Sequence, residues 1–135
     1  AMVGIRGHTD MEFLDILEDE GLYVDYGHEV QEKGIEESIQ GAIDHVTEDV
    51  DHVYLTVDID VTDPSYAPGT GTPSPGGLTS HQLLTAADLL GECDAIGAMD
   101  LMEVAPTLDP TDTTAMLGAN VLSRFLQSYF YDTVA

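Results

Sequence analysis

Val53-Tyr54-Leu55-Thr56-Val57-Asp58-Ile59-Asp60 runs into the loop Val61-Thr62-Asp63-Pro64-Ser65-Tyr66-Ala67-Pro68-Gly69-Thr70-Gly71-Thr72-Pro73-Ser74-Pro75-Gly76-Gly77, and the fold turns on how this stretch is read. Its first part is β-branched, aromatic and apolar. A run apolar on both faces belongs to a central strand of a parallel sheet. It ends in two carboxylates two positions apart. Side chains alternate along a strand, so Asp58 and Asp60 are expected on one face at the strand's carboxyl end. Residues 62–77 are too rich in Pro, Gly, Ser and Thr for regular structure. Loops longer than ~12 residues in compact domains are usually functional or disordered. This one lies between a strand and a well-signalled helix, which favours function.

Outward from this stretch, strands and helices alternate. Met2 to Arg6 reads as a short buried strand ended by Gly7. Thr9 or Asp10 can cap a helix to about Glu20, with Phe13, Leu14, Ile16 and Leu17 as its apolar side and Gly21 as its stop. Leu22 to Tyr26 is a second strand. From Glu32 to Asp49 the period is helical: Ile35, Ile39, Ile43, Val46 and Val50 share one side, and Glu36, Glu37, Asp44, Glu48 and Asp49 decorate the rest. Thr79 with Gln82 forms a capping-box pair opening a helix to about Leu90. Asp94 to Glu103 is a further strand. Asp109 as cap, Pro110 at the first helical position and Asp112 at the positive dipole end announce a last helix. Its buried stripe is expected to be Leu117, Val121, Leu122, Phe125 and Tyr129. The alternation predicts an α/β fold, a mostly parallel sheet with helices on both faces. Ligands bind beyond the carboxyl ends of such strands. Asp58 to Gly77 and Glu103 to Pro106 are therefore the segments that carry chemistry.

The 135 residues contain 3 Lys+Arg against 26 Asp+Glu, a formal net charge of −23 with 43% hydrophobic residues. That hydrophobic content supports a globular core. Arg6, Lys33 and Arg124 are too few to neutralise a run of phosphates, which excludes nucleic acid and disfavours anionic membranes. A guanidinium compound or a divalent metal would be attracted instead. Carboxylates spread along the whole chain repel one another at low ionic strength, so adaptation to high salt is expected. Cys93 is the only cysteine, which precludes an internal disulfide and fits a cytoplasmic location. The sequence holds no apolar run of about 18 residues and no basic segment before an apolar stretch, so neither a membrane span nor a signal peptide is expected in it.

Converging Asp58 and Asp60 is costly unless a cation compensates, and Mn²⁺ or Mg²⁺ suits carboxylate oxygens. A pair of solvated acids is the plainer alternative. An EF-hand is rejected because its required Gly would fall at Asp63. An Asp-x-Asp holding a metal-bound diphosphate, as in nucleotide-sugar transferases, stays open on these residues, although basic residues are scarce. Asp63 precedes Pro64 and can make a local Asx turn. Asp100 lies within a strand and is expected to bond nearby backbone. Gly69, Gly71, Gly76 and Gly77 can supply unusual backbone angles. His28, His45, His52 and His81 are expected in surface or packing roles.

The longer string Thr56-Val57-Asp58-Ile59-Asp60-Val61-Thr62-Asp63-Pro64, then Ala67-Pro68-Gly69-Thr70-Gly71-Thr72-Pro73 and Gly76-Gly77-Leu78-Thr79, strongly resembles the ureohydrolase family of arginases, agmatinases and related hydrolases. Met99-Asp100-Leu101-Met102-Glu103-Val104-Ala105-Pro106 and Gly4-Ile5-Arg6 resemble further strands of that family. The wording of the loop and the Ala in Glu103-Val104-Ala105-Pro106 look more like the agmatinase branch. The resemblance implies a three-layer α/β/α fold and a pair of Mn²⁺ ions. It implies that Asp58 and Asp60 are metal ligands and catalytic residues, and that Glu103 contacts the substrate guanidinium. It also implies a homo-oligomeric full-length parent.

The family's Gly-Gly-Asp-His and Asp-Ala-His-x-Asp motifs do not occur in the sequence. His8-Thr9-Asp10 shows His-x-Asp, but Arg6 and Gly7 precede it and its place in the motif order is wrong. Residues 1–135 are thus expected to be the carboxyl-terminal half of one ureohydrolase domain, with the sheet cut through its middle and the chain alone inactive. The parent is expected to cleave agmatine to putrescine and urea. Guanidinobutyrate, guanidinopropionate, arginine or a formimino substrate are the alternatives. The competing class is a non-catalytic acidic metal-binding module.

Overall fold

The computed structural model describes residues 1–7, 15–17 and 19–134, with side chains described as far as Tyr131. The expected Thr9 or Asp10 cap, Phe13, Leu14 and the His8-Thr9-Asp10 triplet lie outside the described residues. Strand β1 is Met2–Ile5 and β2 is Val24–Tyr26. Helix α1 (Gly27–Lys33) and helix α2 (Ile35–Thr47) follow, then β3 (Val53–Asp58) and a 3-10 turn, Ile59–Val61. Helix α3 (Ser80–Gly91), β4 (Ile96–Met102), a second 3-10 turn (Pro106–Leu108) and α4 (Thr113–Val134) complete the order. Residues 15–17 and 19 are helical, and Gly21 ends that segment with φ +66°.

The strand pairings are parallel, as the alternation of elements demands: β1 with β2, and β3 with β4. Between β1 and β3 lies a largely apolar groove of about 340 Å³ lined by Val3, Ile5, Val53, Leu55 and Val57 among others. The two strand pairs are separate two-stranded sheets among the described residues. No described helix is long and apolar enough to cross a membrane.

The stretch around β3 departs from the expectation of a run buried on both sides. Val57 is buried and Val53 and Leu55 pack on the core, whereas Tyr54, Thr56 and Asp58 are exposed. Helices α3 and α4 cover only the first of these faces, through Leu83, Ala87, Leu117, Val121 and Phe125. Strand β4 meets the same core with Ile96, Met99 and Leu101, a spacing made possible by a register shift opposite Val53 and Tyr54. A second cluster joins Val30, Ile35, Ile39, Leu78 and Ala86.

Three expectations about helices need correction. The segment from Glu32 to Asp49 is not one helix, because Gly34 breaks it with φ +96° and its N–H closes α1 on Val30. Ile35 and Ile39 are buried as expected, but Val50 lies beyond α2 and is 52% exposed. The last helix begins at Thr113, not at Pro110, and Asp112 takes φ 56° while its carbonyl accepts the Met116 N–H. Leu122 and Tyr129 are exposed, since α4 presents only its Leu117, Val121 and Phe125 side to the core. The α3 start is as read: Thr79 Oγ1 accepts from the Gln82 N–H, and Gln82 Oε1 accepts from the Thr79 N–H.

Candidate active site at the strand ends

Register decides where the carboxylates meet. In the parallel β3–β4 pair Asp58, the last residue of β3, lies opposite Met102, the last residue of β4, so Glu103 follows directly beyond that level. Neighbouring strands are ~4.8 Å apart, which brings the two acids to one end of the sheet.

Asp60 reaches this end by a different route from the one its spacing suggests. The strand stops at Asp58, and Ile59 to Val61 form a tight 3-10 turn rather than further strand. Asp58 caps that turn, its Oδ1 accepting the Asp60 N–H at 3.0 Å. The alternation argument therefore fails in detail, yet the turn keeps Asp60 close enough for its charge to be felt. The Asp58 carboxyl is pushed above its ordinary pKa by partial burial, and the charges of Asp60 and Glu103 push the same way. Such a cluster favours a cation among its oxygens.

Glu103 takes φ 62°, a left-handed conformation that costs a non-glycine residue ~1–3 kcal/mol and persists where the surroundings fix it. The loop crosses next to it: a Cβ on Gly71 would lie 3.4 Å from Glu103 Oε2. Thr72 Oγ1 donates to Asp60 Oδ2 at 2.5 Å, so the loop touches a second carboxylate one residue later.

Four anchors fix the loop. Asp63 makes the expected Asx turn, accepting from Ser65 N–H and O–H, and its Oδ2 accepts the Gly76 N–H at 2.8 Å. These bonds, led by the Ser65 hydroxyl, hold its pKa at about 2. Thr62 bridges to Leu78 at the loop's base. Thr114 Oγ1 accepts the Gly69 N–H at 2.8 Å, and Gly69 O accepts the Ala105 N–H at 2.8 Å. The fourth anchor is Arg6, whose guanidinium donates to the carbonyls of Asp60, Thr62 and Ser74.

Sequence reasoning missed the parts played by Arg6, Thr72, Asp109 and Thr114. Arg6 was legible only as the end of a strand, though a cation at a strand end in so acidic a chain is a signal. Asp109 is 2% exposed and does not start the helix; its Oδ2 accepts from Thr114 N–H and O–H, and its Oδ1 from Thr111. Those bonds, the Thr111 hydroxyl first, hold its pKa at about 2. Asp100 pairs across the exposed face with the Tyr54 hydroxyl at 2.6 Å, not with backbone as expected. His28, His45, His52 and His81 are all exposed.

The donor chemistry of Asp58 and Asp60 fits a hard divalent cation, because crowded carboxylate oxygens are what such an ion binds. They fit as part of a set: among the described residues no group of three His, Cys, Asp or Glu side chains is placed to hold a metal.

The profile of the Arginase family matches residues 1–127. Proclavaminate amidinohydrolase of Streptomyces clavuligerus is 38% identical over 130 residues, 94% of this chain and 40% of that protein. An agmatinase of Neisseria meningitidis serogroup C is 45% identical over 93 residues, 67% of this chain and 30% of the relative. Among solved structures, arginase from Bacillus caldovelox superposes with a TM-score of 0.85 at 32% identity, covering 91% of this chain and 41% of that one. Formimidoylglutamase from Bacillus subtilis gives 0.88 at 29% identity, covering 94% and 40%. The chain spans about two fifths of the length of the first of these relatives and of both structures, and so carries part of the fold. Its strand-end carboxylates, its parallel α/β order and these likenesses lead to one conclusion: the chain belongs to the Arginase family.

Proposed function

We propose that residues 1–135 are the carboxyl-terminal part of a manganese-dependent ureohydrolase domain, and that the whole protein cleaves a guanidino compound, agmatine to putrescine and urea being the first choice. The observation that carries this reading is the parallel register that ends β3 at Asp58 and β4 at Met102, one residue before Glu103, beside a loop pinned to Asp60. Asp58 and Asp60 would be ligands to a pair of Mn²⁺ ions. When bound, such ions make a hydroxide nucleophile available from water at neutral pH.

The chain's own residues do the remaining work. Thr72 fixes one oxygen of Asp60 by donating to it. Glu103 faces the loop at Gly71, where a planar cation can lie against its carboxylate fork. The net charge of −23 draws a cationic substrate toward this end. Agmatine, a dication, suits that field better than a zwitterionic amino acid. The names of the relatives divide among agmatinase, arginase, formimidoylglutamase and proclavaminate amidinohydrolase, so a substrate panel is needed. A cytoplasmic location and a homo-oligomeric parent belong to the same proposal.

The test is urea release. The purified 135-residue chain with Mn²⁺ should release none from agmatine. A polypeptide extended at its amino end by segments bearing Gly-Gly-Asp-His and Asp-Ala-His-x-Asp should release it. Asp58→Asn or Asp60→Asn should abolish that activity. Glu103→Gln should lower kcat/KM by about tenfold or more, the cost of losing a charge-assisted bond to the guanidinium. Failure of the extended protein on every guanidino and formimino compound in the panel would favour the non-catalytic acidic module.

A further inference from the structure

We infer that Arg6 is a positioning residue, which sets the geometry of the Asp58–Asp60 turn by tying the turn and the far end of the loop to β1. The inference rests on the assignment of Asp58 and Asp60 made above. Three main-chain carbonyls converge on one guanidinium. Nη2 donates to the carbonyl oxygen of Asp60, to that of Thr62 at 3.2 Å and to that of Ser74 at 2.8 Å. Nε donates to the Ser74 carbonyl at 3.1 Å, and Nη1 lies 3.5 Å from the carbonyl of Gly4 in β1. Two of these acceptors belong to the turn that presents Asp60. The third lies two residues beyond Thr72, whose hydroxyl holds the Asp60 carboxylate. One side chain thus fixes both the backbone of Asp60 and the loop segment that grips its side chain.

The fold is shaped to let this happen. Gly27 opens α1 where a Cβ would lie 3.1 Å from the Gly76 carbonyl and 3.4 Å from Arg6 Cδ, so its lack of a side chain clears the path of the arginine. Gly4, at φ +88°, lies so close to Val61 that a Cβ there would collide with Val61 Cγ2, which seats β1 directly on the turn. Gly77 packs where a Cβ would be 2.6 Å from both Val61 O and Asp63 N. Three close approaches at glycine, two of them too tight for a Cβ and the third, at Gly27, leaving little room for one, surround the guanidinium's targets. Arginine suits convergent carbonyls because its planar fork offers five donors in fixed directions, whereas lysine offers three from a single point. The other two cations are placed differently: Lys33 pairs with Asp25, and Arg124 with Asp88.

The experiment uses the 135-residue chain and its Arg6→Lys, Arg6→Ala and Asp58→Asn/Asp60→Asn variants. Two quantities are read: Mn²⁺ affinity, from loss of the free-ion electron paramagnetic resonance signal, and amide hydrogen exchange. Asp60 to Gly77 amides should exchange about tenfold or more faster in both Arg6 variants, while those of α2 keep wild-type rates, since each charge-assisted bond lost weakens protection by at least that factor. Mn²⁺ affinity should fall about tenfold or more in both, and methylguanidinium should restore it in Arg6→Ala but not in Arg6→Lys. Unchanged loop exchange in Arg6→Lys and Arg6→Ala overturns the inference. So does loss of the folded circular dichroism spectrum in both variants, which would make Arg6 a determinant of folding rather than of position. If wild type and the double Asp variant bind Mn²⁺ equally, Asp58 and Asp60 hold no metal in this chain by themselves, and faster loop exchange still supports the tie between Arg6 and the loop.

Discussion

At Asp109 a carboxylate is buried and fully used, with Thr111 and Thr114 donating to both oxygens. Asp63 is held in a similar way by Ser65 and Gly76. Both have pKa values lowered from 3.8 to about 2. A folded pKa below the unfolded one means that the stabilisation is present above the unfolded value and is lost as pH falls through the folded value. Between about pH 4 and pH 2 the wild-type Tm should therefore fall more steeply than that of Asp109→Asn or Asp63→Asn, measured by circular dichroism at constant salt. Parallel profiles would show that neither acid is linked to folding. Asp109→Ala should lower Tm more than Thr111→Ala, because it leaves the buried Thr114 N–H and the Thr114–Gly69 tie without their organiser. Gly77→Ala should cost about 1–3 kcal/mol in urea denaturation, since its Cβ would meet backbone atoms at 2.6 Å that have no rotamer to change.

Among the elements, α3 was legible to the residue: Thr79 and Gln82 form the reciprocal cap their spacing announces. Thr79→Ala should lose about 1 kcal/mol of stability and speed amide exchange in the first turn of α3. That reading succeeded because a cap is settled by four consecutive residues. The segment around Gly34 failed for the opposite reason. Its apolar period is carried by Ile35 and later residues, so the pattern does not say whether the backbone bends at the glycine before them; the packing of Val30 and Ile35 into one cluster does. The face of β3 was also illegible. An alternation of Tyr and Thr with Val and Leu suits a strand covered on one face or on both, and only the placement of α3 and α4 on the Val57 side leaves Tyr54 exposed.

At the scale of the whole molecule the dominant feature is the formal net charge of −23. Two ion pairs are present among the described residues, in a chain whose sequence holds 26 acids. Among the described acids only Asp25 and Asp88 are paired with a cation. We propose that the fold is salt-dependent. Raising KCl from 0.1 M to 1 M shortens the Debye length from ~10 Å to ~3 Å and should raise Tm. Equal Tm values at the two concentrations would sink the proposal.

The amino-acid sequence by itself determined the family, the parallel α/β order and the identity of the strand-end acids, because a contiguous motif and local caps are written in neighbouring residues. It placed Asp58 and Asp60 near one another for an incomplete reason, since strand alternation stops at Asp58 and a 3-10 turn takes over. Only the tertiary structure decided that Glu103 follows directly beyond the Asp58–Met102 pair, that it does so in a left-handed conformation, and that Arg6 and Asp109 fasten the loop between them. These are contacts between residues tens of positions apart. Their geometry depends on strand register and on glycines that let backbones touch, and no local pattern of side chains encodes either.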